Sequence, residues 1–126
     1  MIRVLLVEDN PMNRRLARDV LEHHGHEVTE AGDVDQGWAA IVRALPDLVL
    51  LDVQIPGGGG EALLRRIRSS PRTSELPVVA VTAFAMDGDR ERLLAAGFDA
   101  YVSKPIDTRT FAAFVAGVVH ERGGCQ

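Results

Sequence analysis

Short apolar runs alternate with helix-like stretches along the whole chain. The runs Ile2–Val7, Leu48–Leu51 and Val78–Val81 are almost continuously apolar, and Glu27–Ala31 and Ala100–Val102 are predicted as a short second and a short fifth strand. Continuous apolar runs of this length are typical of buried parallel strands. Because a helical stretch follows each run, the pattern predicts five strand–helix pairs, a parallel sheet with helices on both faces.

The helical stretches carry recognisable start and stop signals. Asn10-Pro11 places a capping side chain before a proline at the first helical position, Gly25 ends the same helix, and Asp33 with Gln36 resembles a capping box. Helical spacing predicts buried faces at Met12, Leu16, Ala17, Val20 and Leu21, at Trp38, Ile41, Val42 and Leu45, at Leu63, Leu64 and Ile67, at Leu93 and Leu94, and at Phe111, Phe114, Val115, Val118 and Val119.

Length and composition fit one globular domain. The chain has 126 residues, of which 46% are hydrophobic and 25% charged. We predict a single domain over residues 1–122 and a short disordered tail over residues 123–126. A formal net charge of −4 argues against a nucleic-acid binder. No apolar run approaches the ~20 residues that cross a membrane, and the first residues do not resemble a secretory signal.

The basic residues and the single cysteine add two observations. Thirteen of the basic residues are arginine and only Lys104 is lysine, so that position is a candidate for a role that needs a compact ammonium group. Cys125 has no partner for a disulfide within the chain, which fits a reducing, cytoplasmic location.

Polar residues stand where four of the predicted strands end. Glu8 and Asp9 follow the first strand, Asp52 ends the third, Thr82 ends the fourth, and Lys104 follows the fifth. Taken singly, each has an ordinary explanation as a turn, strand or surface residue. Parallel strands, however, bring their carboxyl ends to one edge, where α/β sheets bind ligands. We therefore expect all five side chains to converge.

Three carboxylates that converge repel one another, and a hard divalent cation with oxygen ligands would compensate this repulsion. A carboxylate can also act as a nucleophile and become an acyl phosphate. Phosphoryl transfer needs positioning and charge neutralisation above all. By contrast, His23, His24, His26 and His120 show no metal-ligand spacing and are predicted to be surface residues.

Four segments resemble the receiver domains of bacterial response regulators, a CheY-like family. They are LLVEDN (Leu5–Asn10), LVLLDVQIP (Leu48–Pro56), VAVTAFAM (Val79–Met86) and AYVSKPI (Ala100–Ile106). Together, in this order and spacing, they are highly specific. The resemblance runs from Ile2 to about Val119 and implies a flavodoxin-like (βα)5 sandwich with strand order 2-1-3-4-5.

The resemblance implies a role for each residue of the phosphorylation site. Asp52 matches the phosphoacceptor, Asp9 a direct Mg²⁺ ligand, and Glu8 an acidic residue that acts on the metal through water. Gln54 stands where the family offers a backbone carbonyl to the metal. Mg²⁺ is the expected cofactor, and Mn²⁺ is expected to substitute for it. Lys104 matches the lysine that pairs with a phosphate oxygen.

The resemblance also implies a conformational switch. Thr82 matches the hydroxyl that turns toward the phosphoryl group, and Tyr101 matches the aromatic residue whose rotamer reports the switch. Pro105 follows Lys104, and in the family the peptide bond between these two positions is typically cis. Gln54 and Phe84 stand where they could tune the lifetime of the phosphoryl group. The surface formed by helix 4, strand 5 and helix 5 is the expected docking site for a downstream protein.

Within that family, the sequence resembles the subgroup that includes DivK-type single-domain regulators and the receivers of hybrid histidine kinases. Because the chain begins with Met and ends soon after the last helix, we expect a stand-alone regulator, monomeric or weakly dimeric. Its expected partners are a histidine kinase or a histidine phosphotransferase and a target protein, with no nucleic acid and no membrane. A receiver module detached from a hybrid kinase is the alternative.

Other classes fit the residues less well. A Mg²⁺-dependent phosphohydrolase with an aspartyl-phosphate intermediate would usually carry a second Asp two residues after Asp52, where this chain has Gln54. A flavodoxin-like cofactor binder would not place Glu8 and Asp9 against a phosphate, and a pseudo-receiver would lack part of the acidic set. We therefore expect a phosphoacceptor that assists its own chemistry, not an enzyme with a separate substrate.

One segment departs from the family pattern. Four consecutive glycines, Gly57–Gly60, follow Pro56, where the family usually carries larger residues. Because glycine widens the accessible backbone conformations and raises the cost of ordering, we predict a loop here that is mobile before phosphorylation.

Overall fold

The structure is a computed structural model that describes residues 2–82, 89–103, 109–111, 113–115 and 117–118. The strands are β1 (Arg3–Val7), β2 (Glu27–Ala31), β3 (Leu48–Asp52), β4 (Val78–Thr82) and β5 (Ala100–Ser103). The helices are α1 (Pro11–His23), α2 (Val34–Arg43), α3 (Gly60–Ser69) and α4 (Asp89–Ala96). Residues 111, 113–115 and 117–118 are also helical.

The five strands form one parallel sheet in the order β2-β1-β3-β4-β5. The predicted fold class is therefore confirmed. Because all strands run the same way, the ends of β1, β3 and β4 lie side by side, with Val7 paired to Leu51 and Asp52 paired to Val81. This register places the first turn after β1 beside the last residues of β3 and β4.

The sheet separates two apolar cores. Alternate strand residues point to opposite faces, so that Val49 and Leu51 pack with α2, α3 and α4, while Leu48 and Leu50 pack with α1 and with the helical residues between 111 and 118. All five residues of β3 and all five of β4 are buried. The molecule thus has the three layers that the alternation of strands and helices predicts.

Several predicted core positions are exposed instead. Met12 and Leu16 of α1 are 80% and 39% exposed, because α1 buries only a narrow stripe through Ala17 and Leu21. The prediction of burial was also wrong at Val42 of α2 and at Leu45, which lies two residues beyond the end of α2. The exposed positions are Met12, Leu16, Val42, Leu45, Leu94 and Phe114.

The second helix packs through its small residues. Its buried residues are Val34, Gly37, Ala40 and Ile41, and a Cβ built at Gly37 would come within 2.8 Å of Leu63. A close approach of α2 to α3 therefore turns Val42 outward. All three apolar positions predicted in α3, namely Leu63, Leu64 and Ile67, are buried, as predicted.

An arginine fixes the amino-terminal end of the sheet. Arg68 at the end of α3 donates hydrogen bonds to the carbonyls of Gly97, Ser74 and Leu76, and its Nη2 lies 3.0 Å from Asp99 Oδ2. The same Asp99 oxygen accepts the backbone N–H of Val78 at 2.8 Å. This network joins the end of α3 to the starts of β4 and β5.

One histidine differs from its prediction as a surface residue. His23 and His24 are exposed, whereas His26 is half-buried and its Nδ1 accepts the backbone N–H of Ile2 at 3.2 Å. Burial is the main cause that lowers the pKa of His26, with a smaller contribution from the charge of His24. His26 therefore favours the neutral state that can accept this hydrogen bond.

Some predictions concern residues that the structure does not describe. They are those for Phe84, Lys104, Pro105, Val119, His120 and the tail over residues 123–126. Among the helices of the described residues, none combines the length and apolar character that crossing a membrane requires.

Candidate functional site

Three carboxylates meet at the carboxyl-terminal edge of the sheet. One oxygen from each of Glu8, Asp9 and Asp52 lies within 4.8 Å of the others. Glu8 and Asp52 are each only 3% exposed, whereas Asp9 is open to solvent. The convergence that the strand ends predict therefore holds for these three residues, and one side of the cluster can be reached from solution.

This donor set suits a hard cation. Mg²⁺ prefers carboxylate and carbonyl oxygens, and its octahedral geometry places ligand oxygens about 3 to 4 Å apart. One oxygen from each of Glu8, Asp9 and Asp52 lies within 4.8 Å of the others, and a divalent ion would offset their mutual repulsion. The residues present thus fit a magnesium ion, with Asp9 on the solvent-exposed side.

Backbone hydrogen bonds orient Asp52. Its Oδ1 accepts the N–H of Gln54 at 2.9 Å, while the N–H of Val53 donates to Val81 of β4 at 3.1 Å. The Gln54 side chain is exposed, which is compatible with a contribution to the site through its backbone. Oδ1 is therefore held in place by the turn, and the carboxylate is fixed before any ligand arrives.

The local backbone geometry favours glycine at each position of the run Gly57–Gly60. Gly57, Gly58 and Gly59 all have positive φ, of 98°, 112° and 86°, a region that residues with a Cβ rarely adopt. Gly60 begins α3 instead of belonging to the loop as predicted. A Cβ built at Gly60 would lie 2.6 Å from the Asp52 carbonyl oxygen. The run lets α3 start directly against the backbone of Asp52.

A narrow apolar cavity lies beneath the carboxylates. Its lining includes Glu8, Asp52, Asn13 of α1 and Phe111 from the helical residues near the end of the chain. Asn13 was not among the predicted site residues. Its position in the first turn of the helix that follows Asp9 is the signal that could have identified it, because the first turn of α1 necessarily faces the same edge of the sheet.

Arg14 lies beside the acidic pair and was also missed. Its Nη1 donates to the carbonyl oxygen of Glu8 at 3.0 Å, and its Nε lies 3.1 Å from Glu30 Oε1. Glu30 also accepts Arg18, and hydrogen bonds to Glu22 and Glu30 hold the pKa of Arg18 above its ordinary value. A chain of ion pairs therefore links α1 to β2 next to the cluster.

Comparison with known proteins decides the family. The model of the response regulator receiver domain matches residues 4–116, which is most of the chain. The chain belongs to the response regulator receiver domain family. The motifs that carry the resemblance include Glu8, Asp9 and Asp52, and these three residues form the carboxylate cluster.

Named relatives support the assignment. The polar-differentiation response regulator DivK of Brucella anthropi is 38% identical over 108 residues, which cover 86% of this chain and 88% of that protein. A putative response regulator from Chloroflexus aurantiacus has a similar structure, with a TM-score of 0.88 at 28% identity, covering 94% and 97% of the two chains. These matches show that the receiver fold extends over nearly all of the sequence.

A third comparison concerns the metal. The receiver domain of the sensor histidine kinase PA1611 from Pseudomonas aeruginosa is 32% identical, with a TM-score of 0.82 and 98% of each chain covered. That structure holds a magnesium ion coordinated in its active site cleft. The receiver described here presents an acidic cluster whose chemistry suits the same kind of ion.

Thr82 and Tyr101, the two residues predicted to act as a switch that the structure describes, lie on one face of the sheet. Thr82 is buried at the end of β4, two residues after Ala80, and Ala80 is paired with Tyr101 of β5. Because strand side chains alternate, Thr82 and Tyr101 share the face that carries α4. Tyr101 is half-buried in a groove that Leu94 and Phe114 also line. Of the remaining predicted site residues, Lys104, Pro105 and Phe84 lie outside the described residues.

Proposed function

We propose that this receiver accepts a phosphoryl group on Asp52, from a histidine kinase or a histidine phosphotransferase, and signals by phosphorylation-dependent binding of another protein. The observation that carries the proposal is the buried Asp52 carboxylate, which lies with Glu8 and Asp9 at the end of the sheet. A carboxylate buried beside two others is costly unless a positive charge compensates it, and a metal-dependent phosphoacceptor uses such a cluster.

The proposed reaction is a direct phosphoryl transfer. An Asp52 oxygen forms a bond to phosphorus while the bond from phosphorus to the donor's histidine nitrogen breaks, and the product is an acyl phosphate. Bound Mg²⁺ would neutralise the charge that develops on the phosphoryl oxygens. Gln54 holds the Asp52 carboxylate in a fixed orientation through its N–H. In this proposal Lys104 pairs with a phosphate oxygen and the Thr82 hydroxyl contacts another.

The metal site is proposed from the same residues. Asp9 and Asp52 would bind Mg²⁺ directly, Glu8 would act through water, and the backbone carbonyl of Gln54 would complete the protein ligands. Mn²⁺ is expected to substitute because it accepts the same oxygen donors. Removal of the metal with a chelator is expected to abolish phosphorylation while leaving the receiver folded.

The proposed output is a shift between two conformations of one fold. Phosphorylation draws Thr82 toward the phosphoryl group, Tyr101 turns inward, and the surface formed by α4, β5 and the last helix changes shape. Pro105 is proposed to shape the segment after Lys104. Gln54 and Phe84 are proposed to set the lifetime of the acyl phosphate.

The biological setting is proposed by analogy with the relatives. DivK is a response regulator, whereas the PA1611 receiver belongs to a sensor histidine kinase. We favour a cytoplasmic, monomeric or weakly dimeric regulator, with the receiver over residues 1–122 and a short tail over residues 123–126. The alternative is a receiver that works within a hybrid kinase. In either setting it is a phosphoacceptor without a separate substrate, unlike a classical enzyme.

Intact-mass measurement after incubation with acetyl phosphate tests the proposal. We expect a single phosphoryl adduct that requires Mg²⁺ and is absent from Asp52→Asn. Asp35→Asn is the matched control, because its side chain is 92% exposed on α2, and it should be phosphorylated like the wild type. An adduct of equal yield on Asp52→Asn, or no adduct with acetyl phosphate and a panel of phosphorylated histidine donors, would reject the proposal.

A further inference from the structure

Both backbone polar groups of Glu8, the N–H and the carbonyl, form hydrogen bonds. The backbone N–H of Glu8 donates to the carbonyl of Ala31 in β2 at 3.0 Å, and the Glu8 carbonyl accepts Nη1 of Arg14 at 3.0 Å. The first contact continues the hydrogen bonding of β1 with β2. The second is made by a side chain from α1, so the direction of this turn depends on Arg14.

Arg14 is itself fixed from its other side. Its Nε lies 3.1 Å from Glu30 Oε1, and both side chains are 28% exposed. The other Glu30 oxygen is occupied by Arg18. A planar guanidinium donates to two acceptors from separate nitrogens held in a fixed plane, whereas an ammonium group donates from a single nitrogen whose N–H groups rotate. Arg14 therefore forms a rigid link from the end of β2 to the Glu8 carbonyl.

The turn that Arg14 holds carries two of the three clustered carboxylates. Glu8 and Asp9 are consecutive, and each offers one oxygen to the group completed by Asp52. A rotation of the Glu8 peptide would move both side chains away from Asp52. Partners outside the ligand shell commonly orient metal ligands, and their loss typically weakens metal binding by about 10- to 100-fold.

We propose that Arg14 is a positioning residue for the metal site, holding the Glu8–Asp9 turn in the geometry that binds a divalent cation. The inference rests on the proposed function, because it assumes that the cluster binds Mg²⁺. It assigns Arg14 no contact with the ion or with the phosphoryl group.

The positive charge of Arg14 and its positioning contact affect Mg²⁺ affinity in opposite directions. Removal of a positive charge beside a cation site should tighten Mg²⁺ binding if only Coulomb forces act. Loss of a positioning contact should weaken it, so the two explanations predict opposite signs. Arg15 provides the matched control. It is the next residue of α1, its side chain is 84% exposed, and its ion pair with Asp19 lies on the helix surface.

The experiment is a calorimetric titration of each folded protein with Mg²⁺ alone. We expect the dissociation constant of Arg14→Met to rise about 10-fold, and that of Arg15→Met to stay the same or fall slightly. Arg14→Lys, which keeps the charge but replaces two separate donor nitrogens with one, should weaken binding by a smaller factor, about 3-fold. If Arg14→Met does not fold, Arg14→Lys against Arg15→Lys gives the same comparison.

The outcomes separate this inference from the function on which it rests. If the wild type and Arg15→Met bind Mg²⁺ and Arg14→Met binds it equally well or more tightly, Arg14 has no positioning role and the metal site stands. Equal weakening in Arg14→Met and Arg15→Met also overturns the role, because the effect would then not depend on the hydrogen bond from Arg14 to the Glu8 carbonyl. If the wild type itself does not bind Mg²⁺, both the inference and the proposed metal site are wrong.

Discussion

The two ends of the sheet hold carboxylates in opposite ways. At the amino-terminal end, the half-buried Asp99 lies against the guanidinium of Arg68 and accepts the N–H of Val78. At the carboxyl-terminal end, the carboxylates of Glu8, Asp9 and Asp52 lie against one another. The first arrangement joins neighbouring elements, and the second concentrates negative charge. Asp99 at one end and Glu8 and Asp52 at the other are shielded from solvent, so the chemistry of the neighbours distinguishes a structural end from a functional one.

The largest expected effect on stability concerns a glycine at the carboxyl-terminal end of the sheet. A Cβ at Gly60 would meet the Asp52 carbonyl oxygen at 2.6 Å, whereas a Cβ at Gly117 would meet nothing within 4 Å. We expect Gly60→Ala to lower the free energy of unfolding by about 2 to 3 kcal/mol through overpacking. Gly117→Ala should raise it by up to about 1 kcal/mol, because alanine is the better helix former.

Urea denaturation of both variants measures these changes. A Gly60→Ala protein as stable as the wild type would show that the start of α3 does not need its close approach to Asp52. The mobility predicted for the glycine run is a separate matter, which hydrogen exchange of Gly57–Gly60 with and without phosphorylation would decide.

The Asp99 site is the next largest test. We expect Asp99→Asn to lower the free energy of unfolding by about 2 kcal/mol, since it leaves the partly buried Arg68 guanidinium without its carboxylate. Asp35→Asn, whose partner Arg66 lies on the surface, should change stability by less than about 0.5 kcal/mol. The same urea titrations compare them. An equal effect at Asp99 and Asp35 would contradict a structural role for the Arg68–Asp99 pair.

The same substitution at the other end should have the opposite sign. We expect Asp52→Asn to raise the free energy of unfolding by about 1 kcal/mol in metal-free buffer of low ionic strength, because it removes one of three like charges. The amide oxygen can still accept the Gln54 N–H. Addition of Mg²⁺ should stabilise the wild type more than Asp52→Asn. A loss of stability in Asp52→Asn without metal would mean that repulsion in the cluster is not felt.

The smallest expected effect concerns pH at the amino-terminal end. Burial lowers the pKa of His26 in the folded protein. Below the ordinary histidine pKa of about 6.5, His26 therefore binds a proton more readily in the unfolded chain than in the folded protein. The stability associated with neutral His26 is therefore present above that pH and is lost as pH falls toward the folded-state pKa. His26→Gln should flatten this part of the stability profile, and an unchanged profile would exclude His26 as its source.

The sequence was a good guide to elements that repeat a pattern. The strand ends predicted that Glu8, Asp9 and Asp52 would converge, because parallel strands bring their carboxyl ends together, whatever the detailed packing. Helix faces were less predictable. Met12 and Leu16 have apolar spacing but are exposed, because the width of a buried face depends on the neighbours of the helix, which spacing does not reveal.

Two features of the site could not be predicted from pattern alone. The role of the glycine run depends on a close approach between Gly60 and the Asp52 backbone, which requires the path of the chain in space. Arg14 reaches the Glu8 carbonyl with a long side chain that could equally have pointed into solvent. In both cases a residue contacts a backbone carbonyl, of Asp52 or of Glu8, and no sequence spacing is typical of such contacts.

The identity of the phosphorylated residue is the most direct test of the function. The receiver is phosphorylated in the presence of Mg²⁺, reduced with borohydride, which converts an aspartyl phosphate to homoserine, and mapped by peptide mass spectrometry. We expect homoserine at position 52 and nowhere else, with none formed when Mg²⁺ is chelated. Label at a histidine or at another carboxylate, with Asp52 intact, would contradict the assignment of Asp52 as the phosphoacceptor.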